Sequence, residues 1–257
     1  MYSLLNKIFE DKHGDFEFTC FSPWHFFYIF LVIGLVAAIV LIFRKKDQAV
    51  KERVLKWLIA VPFALYMSDF FLMPFAYGEI YVDKLPFHAC TLLSILSFAS
   101  NNSKFLKRFR VHFAVFALIS NLIYVVYPSG VAGTISSICY RVIQTMLFHS
   151  LMVVYSIVTL LFDKDGLRIK RCYIDVIILS MMSTWALIGN TFYSGTAGNY
   201  SGDFNWFFVK ADPLGIFPTD ISPYIMPWLN VIVFFILELV VYILFTGIRH
   251  AREGKNK

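Results

Sequence analysis

Side chains capable of covalent and proton-transfer chemistry lie inside otherwise apolar stretches of this chain. Cys90 can serve as a nucleophile, and His149 and His88 can move protons. Arg141 can hold a phosphate or a developing oxyanion. Arg141, Thr145 and His149 are spaced i, i+4 and i+8, so one helical stripe would carry all three, and we expect it to face a bundle interior. These residue types predict acyl chemistry through a thioester on Cys90.

Further polar side chains lie at a similar predicted depth. A charged or amide group surrounded by lipid is costly, so each one is a candidate for function, with interhelical hydrogen bonding as the alternative. Asp69 or Gln144 could orient the His149 ring, and Asp69 could instead form a structural ion pair with Arg141. Besides Arg141, the residues predicted to bind substrate are Gln144, Asp69, Asn121, Asn190 and Asn230.

The partner of Cys90 follows from helical geometry. With Pro86 in the first turn of a helix, His88 and Cys90 would be two positions apart and about 200° around the axis. They could not face each other, so His149 on another helix becomes the expected general base. The nearby helix N-terminus would favour a thiolate at Cys90.

Three other ionisable residues are predicted at greater depth or near the opposite membrane surface. Glu238 falls two turns beyond Asn230 on a similar helical face and could continue the polar path. His112 and Asp175 lie near the opposite end of their spans, where we expect their side chains to reach toward the headgroups.

The composition is that of a membrane protein. Of 257 residues, 58% are hydrophobic and only 16% are charged, and the mean hydropathy is +0.66. Too few polar side chains are present to cover a soluble globule of this size. The net charge of +6 comes from short basic runs between apolar segments, which argues against a nucleic-acid-binding surface.

The apolar segments predict an all-α bundle of about seven transmembrane helices. A hydrocarbon core of about 30 Å needs roughly 20 apolar residues, and the shortest segment, the third, is the weakest candidate. A transmembrane domain at 24–247 would then follow an interfacial segment at 1–23 and precede a basic tail at 248–257. The predicted spans are 24–43, 54–77, 85–100, 109–127, 138–162, 172–193 and 223–247.

The positions of lysine and arginine predict the orientation of the bundle. Eighteen of the 23 basic residues follow the first, third, fifth and seventh spans. Because cytoplasmic loops retain positive charge, the N-terminus is predicted outside and the C-terminus in the cytoplasm. No cleavable signal peptide is expected, because the first 20 residues are acidic on balance.

The predicted outer surface contains a short N-terminal segment and one long loop. Tyr2, Leu5, Ile8 and Phe9 could form interfacial helical turns. The loop at 194–222 is either a solvated connector or a lid over a membrane site. Two outer cysteines, Cys20 and Cys139, could pair in an oxidising compartment.

Several short motifs resemble one bacterial family. The run Leu85-Pro86-Phe87-His88-Ala89-Cys90 resembles the third-span motif of the YwaF-like integral membrane proteins, which reads Leu-Pro, an apolar residue, His, an apolar residue and Cys. Thr91 stands where that family favours an acidic residue. In chain order, the further points of similarity are Gln144 with His149, the run Asn190 to Tyr193, and Ser222, Pro223 and Tyr224 through Trp228.

The YwaF-like family is similar to a eukaryotic transmembrane acyltransferase that moves fatty acyl chains between phospholipids through a cysteine. The resemblance implies that Cys90 is the acylated nucleophile and that His149, assisted by His88, transfers the proton. We expect membrane phospholipids as partners, a bacterial plasma membrane as the location, and neither a cofactor, a metal nor nucleic acid. The alternative is a transporter or receptor that binds a small anionic solute in a polar cavity, with Arg141 as the counter-charge.

Overall fold

The computed structural model describes residues 8–9, 16–78, 82–133, 135–163, 167–193, 204–212 and 215–254. Within these ranges the chain is all-helical, apart from one isolated β-bridge between Glu17 and Ser136. Of the predicted N-terminal segment, Tyr2 and Leu5 lie outside the described residues, while Ile8 and Phe9 form part of a helical turn. Cys20 and Cys139 carry thiols and are not joined in a disulfide.

The predicted seven-helix architecture is confirmed among the described residues. Six helices are long and apolar enough to cross a membrane. The exception is the third helix, which has 14 residues and begins at position 89 rather than 85. The helices are α1 Pro23–Phe43, α2 Gln48–Tyr77, α3 Ala89–Asn102, α4 Arg110–Val126, α5 Tyr140–Phe162, α6 Tyr173–Phe192 and α7 Ser222–Gly254. Short 3₁₀ segments cover Val82–Lys84, Leu106–Phe109, Ile169–Arg171 and Trp206–Phe208.

Local capping interactions fix several helix ends. The Ser22 hydroxyl accepts a hydrogen bond from the His25 amide at the start of α1, and the Asp47 carboxylate accepts one from the Val50 amide at the start of α2. Such caps satisfy amides that have no partner within the helix. α2 ends at Gly78, whose φ of +80° lies in the left-handed region that glycine adopts without strain.

α4 forms the centre of the bundle. Every residue from 110 to 121 is buried, and α4 packs against both α3 and α5. α1 and α7 instead expose large apolar side chains such as Phe30 and Ile243, as lipid-facing helices do. The side chains of α4 therefore face other helices, and its polar residues must find partners inside the protein.

A charged network joins the helix ends at one end of the molecule. Arg110 donates hydrogen bonds of 2.7 and 2.9 Å to Glu52 and one of 2.8 Å to Asp163, and Lys107 lies 2.9 Å from Glu52. These residues come from three separate helix junctions, so the junctions meet at one end. We call this the basic end, and we call the opposite end the site end; the site end contains residues 16–22, 82–88, 135–140 and 204–212.

Candidate functional site

The segment around Cys90 enters α3 in extended conformation. His88 is the residue preceding the helix, with φ −71° and ψ 142°, and its side chain does not cap the helix. The expectation that Pro86 lies in the first helical turn is therefore wrong, because the helix begins only at Ala89. The opposite-face argument for His88 and Cys90 fails with it, since His88 is not helical. Cys90 is the second residue of α3, beside first-turn amides that have no intrahelical acceptor.

The Cys90 thiol lies between α3 and α4. It is half-buried and lies close to the Ser120 hydroxyl on α4. It also interacts electrostatically with Tyr124, one turn further along α4. The thiol is thus held against the central helix and remains partly accessible.

His149 lies on α5 with its ring orientation fixed by α4. Its Nδ1 is 2.7 Å from Oδ1 of Asn121. The Asn121 amide nitrogen donates to the Ala117 carbonyl at 2.8 Å, which leaves Oδ1 as the acceptor that faces the ring. Nδ1 must therefore carry the proton in the neutral ring, and Nε2 keeps its lone pair.

Aromatic contacts complete the setting of the histidine. The Tyr124 ring stacks on the His149 ring with centroids 3.9 Å apart and planes at 17°. His149 also interacts electrostatically with His88. Tyr124 therefore contacts the imidazole of His149 and also interacts electrostatically with the thiol of Cys90, so α3, α4 and α5 converge on one group of polar side chains.

Two sequence predictions about the ring of His149 are corrected by these contacts. Gln144 donates to the Leu65 carbonyl at 3.0 Å and not to the histidine. Asp69, only 2% exposed, accepts a hydrogen bond of 2.8 Å from Tyr140 and lies 3.4 Å from the Lys84 ammonium. The orienting residue is instead Asn121, because it lies on the helix that packs most extensively against α5.

Arg141 lies one residue from Tyr140 at the site end. It is half-buried and interacts electrostatically with Tyr124. Thr145, one turn along, is also half-buried, and His149 is buried. The predicted stripe on α5 therefore faces the bundle interior, and its residues become more buried from Arg141 toward His149. Arg141 thus stands between the end of the molecule and the histidine.

Asn190 and Asn230 both bind the described part of the long loop. The Asn190 side chain accepts from the Trp206 amide at 2.9 Å and donates to the Trp206 carbonyl at 3.1 Å. The Asn230 amide donates to the carbonyls of Phe207 and Phe208 at 2.6 and 2.9 Å. Phe207 and Phe208 have φ of +58° and +52°, a conformation costing about 1–3 kcal/mol per bulky residue. The two asparagines stabilise this strained turn.

This aromatic turn, residues 204–209, packs on the segment that leads into α3. The Trp206 ring is 1% exposed and stacks on Phe87 with centroids 4.8 Å apart. Trp185 also stacks on Phe87, with ring centroids 5.1 Å apart. Its Nε1 donates a hydrogen bond of 2.8 Å to the Pro86 carbonyl. The aromatic turn therefore packs against Phe87 and His88, which lead into the helix that carries Cys90.

Gly189 on α6 leaves the space that the Phe87 ring occupies. A Cβ at this position would come within 2.4 Å of the ring. We expect Gly189→Ala to displace Phe87 and lower the free energy of unfolding by about 1–3 kcal/mol, the usual range for overpacking. Thermal unfolding in detergent measures this change. Gly34→Ala is the matched control, because nothing lies within 4 Å of its Cβ position; equal melting temperatures for the two variants would contradict the packing described here.

His112 and Asp175 do not reach toward the membrane surface as predicted. They are 2% and 1% exposed and bind each other inside the bundle near the basic end. Burial between α4, α6 and α7 outweighs the pull of the headgroup region, because each side chain finds a hydrogen-bonding partner there.

Several residues of this region escaped the sequence analysis. Ser120 and Tyr124 gave no signal beyond their position on the same helix as Asn121, at one residue before it and three residues after it. Lys84 and Tyr140 are the partners of Asp69. In the sequence they show nothing more than positions near the starts of two predicted spans. In the described parts of the chain, no group of three or more His, Cys, Asp and Glu side chains has the arrangement of a metal site.

Comparison with known proteins identifies the family. The family model of the TMEM164 family, a family of transmembrane proteins, matches residues 20–248. The match does not single out the YwaF-like bacterial proteins. No curated protein and no solved structure matches the chain. Since the matched region covers far more than half of the chain and every residue of the candidate site, the chain belongs to the TMEM164 family.

Proposed function

We propose that this protein is a membrane enzyme that transfers or hydrolyses lipid acyl groups through a thioester on Cys90. The observation that carries the proposal is that Cys90 and His149 both interact with the same stretch of α4: Cys90 lies near Ser120 and Tyr124, and His149 stacks on Tyr124 and binds Asn121, which fixes its tautomer. A thiol, an imidazole and an amide in these roles also occur in soluble thiol hydrolases.

The first half-reaction follows from the tautomer of His149. Nε2 accepts the proton of the Cys90 thiol as the sulfur attacks the carbonyl carbon of a lipid ester. The carbon–sulfur bond forms, the carbon–oxygen bond breaks, and the imidazolium returns its proton to the departing alcohol. The products are an acyl thioester and a lysolipid.

The second half-reaction runs in the opposite direction. His149 takes a proton from an incoming alcohol, whose oxygen attacks the thioester and releases the Cys90 thiol. A lysolipid as the incoming group gives a transferase, and water gives a hydrolase. The first-turn amides of α3 would stabilise the negative oxygen of both tetrahedral intermediates, because the helix N-terminus is electropositive.

The remaining site residues support this chemistry in the proposal. Arg141 binds the lipid phosphate at the site end, and His88 assists proton transfer. Asp69 and Gln144 brace α2 against α5 near the bound lipid. Asn121 orients the imidazole. Asn190 and Asn230 act on the substrate through the aromatic turn that they hold, which serves as a lid over the start of α3.

The proposal also includes a location. The excess of basic residues at the opposite end supports a site in the outer leaflet, because the positive-inside rule favours basic loops in the cytoplasm. The YwaF-like motifs favour a bacterial plasma membrane, with the N-terminus outside the cell.

The test is acyl transfer by purified protein in vesicles that contain a phospholipid with an isotope-labelled acyl chain and a lysophospholipid. Cys90→Ala is expected to abolish transfer and hydrolysis. Cys172→Ala is the matched control, since this half-buried cysteine lies at the basic end, away from the site, and its loss should leave the rate unchanged. Normal turnover by Cys90→Ala would refute the nucleophile. Uptake of a labelled anionic solute that survives in Cys90→Ser would favour the transporter alternative.

A further inference from the structure

A second group of buried polar side chains lies near the basic end, between α4, α6 and α7. Nδ1 of His112 is 2.7 Å from Oδ1 of Asp175. The Tyr242 hydroxyl donates to Oδ2 of Asp175 at 2.8 Å and lies 3.1 Å from Nδ1 of His112. All three side chains are at most 2% exposed. Both oxygens of the Asp175 carboxylate thus accept a hydrogen bond inside the protein.

Glu238 adds a second carboxyl group without a hydrogen-bonding partner. It lies one helical turn before Tyr242 on α7 and is 1% exposed. Both of its carboxyl oxygens are buried and make no hydrogen bond with the described residues. Glu238 interacts electrostatically with Asp175 and with Tyr242, so its carboxyl group faces the His112–Asp175–Tyr242 cluster. A bare carboxylate in such a place is strongly disfavoured.

Among the residues that the structure describes, no cationic side chain interacts with this second carboxyl group. His112 can supply one positive charge at most, and Asp175 already binds it. Arg110 precedes His112 by two residues on α4, but its guanidinium is bound by Glu52 and Asp163. The remaining titratable neighbour is Cys172, which interacts with Tyr242 and cannot become positive. With Glu238 ionised, the cluster would carry at least one uncompensated negative charge.

We propose that Asp175, Glu238 and Tyr242 form a binding site for one small monovalent cation, a proton or a sodium ion. Carboxylate and hydroxyl oxygens are suitable acceptors for both. Binding of one such cation offsets the negative charge that Glu238 adds to the cluster. Glu238 is eight residues beyond Asn230 on α7, about 12 Å along the helix axis, so the cation site is separate from the Cys90 region.

The bound cation would join α6 to α7 directly, and α4 through the hydrogen bond between His112 and Asp175. Asp175 lies in the first turn of α6 and His112 in the first turn of α4. Glu238 and Tyr242 belong to α7. Binding of the cation therefore removes the repulsion between the two carboxyl groups and lets the three helices pack together.

Infrared difference spectroscopy of the full-length protein in vesicles tests this site. We would compare wild type with Glu238→Gln at neutral pH, in potassium buffer and in sodium buffer. A protonated-carboxyl band that disappears in Glu238→Gln and persists in sodium identifies a proton. A carboxylate band of Glu238 that shifts on addition of sodium identifies sodium. An ionised Glu238 that responds to neither change overturns the proposal.

A thermal measurement provides an independent check with a matched control. Glu238→Gln keeps the shape of the side chain but removes the charge. Its melting temperature should therefore not depend on the cation that infrared spectroscopy identifies, and should be no lower than that of wild type. Glu52→Gln should instead lower it, because Glu52 is the partner of Arg110 and Lys107. A loss of stability in Glu238→Gln as large as that in Glu52→Gln would contradict a cation site. Neither readout requires that the enzyme activity exist.

Discussion

Replacement of His149 with alanine is expected to lower the rate of acyl transfer by about 10²- to 10⁴-fold, the usual contribution of a positioned general base. The thiol of Cys90 would remain in place, because Ser120 and the start of α3 hold it. It would lose the group that removes its proton and protonates the leaving alcohol. The measurement is kcat with saturating lipid, since the residue acts on the reacting atoms and not on binding.

A second buried histidine supplies the control for this variant. Nε2 of His25 is 2.7 Å from the Val125 carbonyl and its Nδ1 accepts a hydrogen bond from the Phe21 amide, so both ring nitrogens already have backbone partners. His25→Gln should retain most of the rate. The rate of Asn121→Leu should fall between those of the two variants. This change removes the acceptor that fixes the tautomer of His149 but leaves the imidazole in place. Equal rates for His149→Ala and His25→Gln would remove His149 from the mechanism.

Replacement of Arg110 with methionine is expected to have the largest effect on stability. The guanidinium is 2% exposed and binds two carboxylates, Glu52 and Asp163, which are 20% and 16% exposed. Removal of one member of a buried ion pair costs about 3–5 kcal/mol. Because the two carboxylates are partly hydrated, we expect a loss near the lower limit, about 3 kcal/mol. Thermal or denaturant unfolding in detergent measures it.

The exposed residue Lys107 tests whether the burial of Arg110 causes the expected loss of stability. Its ammonium contacts the same Glu52 at 2.9 Å but is 52% exposed. Lys107→Met should therefore cost less than about 1 kcal/mol, as exposed ion pairs generally do. Similar losses for the two variants would show that contact with Glu52, and not the buried position of Arg110, stabilises the basic end.

Hydropathy was sufficient to predict the helices. The spans of α1, α5 and α6 were predicted to within about two residues, because long apolar runs admit few alternatives. α3 was harder, since Pro86 and the extended conformation of His88 shorten it to 14 residues. A proline near a helix start does not by itself say whether the helix begins before or after it.

The partners of each polar group could not be predicted from the sequence. Depth along a helix follows from residue number, but the direction in which a side chain faces depends on how the helices rotate against one another. Asn121 and Asp69 were both assigned to the same level as His149. Only the packing of α4 on α5 makes Asn121 its hydrogen-bonding partner, while Asp69 binds Tyr140 and Lys84.

The same reason applies to His112 and Asp175. Their positions near the ends of α4 and α6 are compatible with side chains that reach the headgroups. Tyr242, which lies more than 60 residues beyond Asp175 in the chain, completes the cluster by donating a hydrogen bond to Asp175. Contacts between segments so distant in sequence leave no local pattern.

The most direct test of the thioester is intact-mass spectrometry of the purified protein after incubation with phospholipid in the absence of a lysolipid acceptor. The account predicts a fatty-acyl adduct on wild type that hydroxylamine removes, that is absent in Cys90→Ala, and that is unchanged in Cys172→Ala. An adduct that persists in Cys90→Ala, or acyl transfer by that variant without any adduct, would contradict the assignment of Cys90 as the nucleophile.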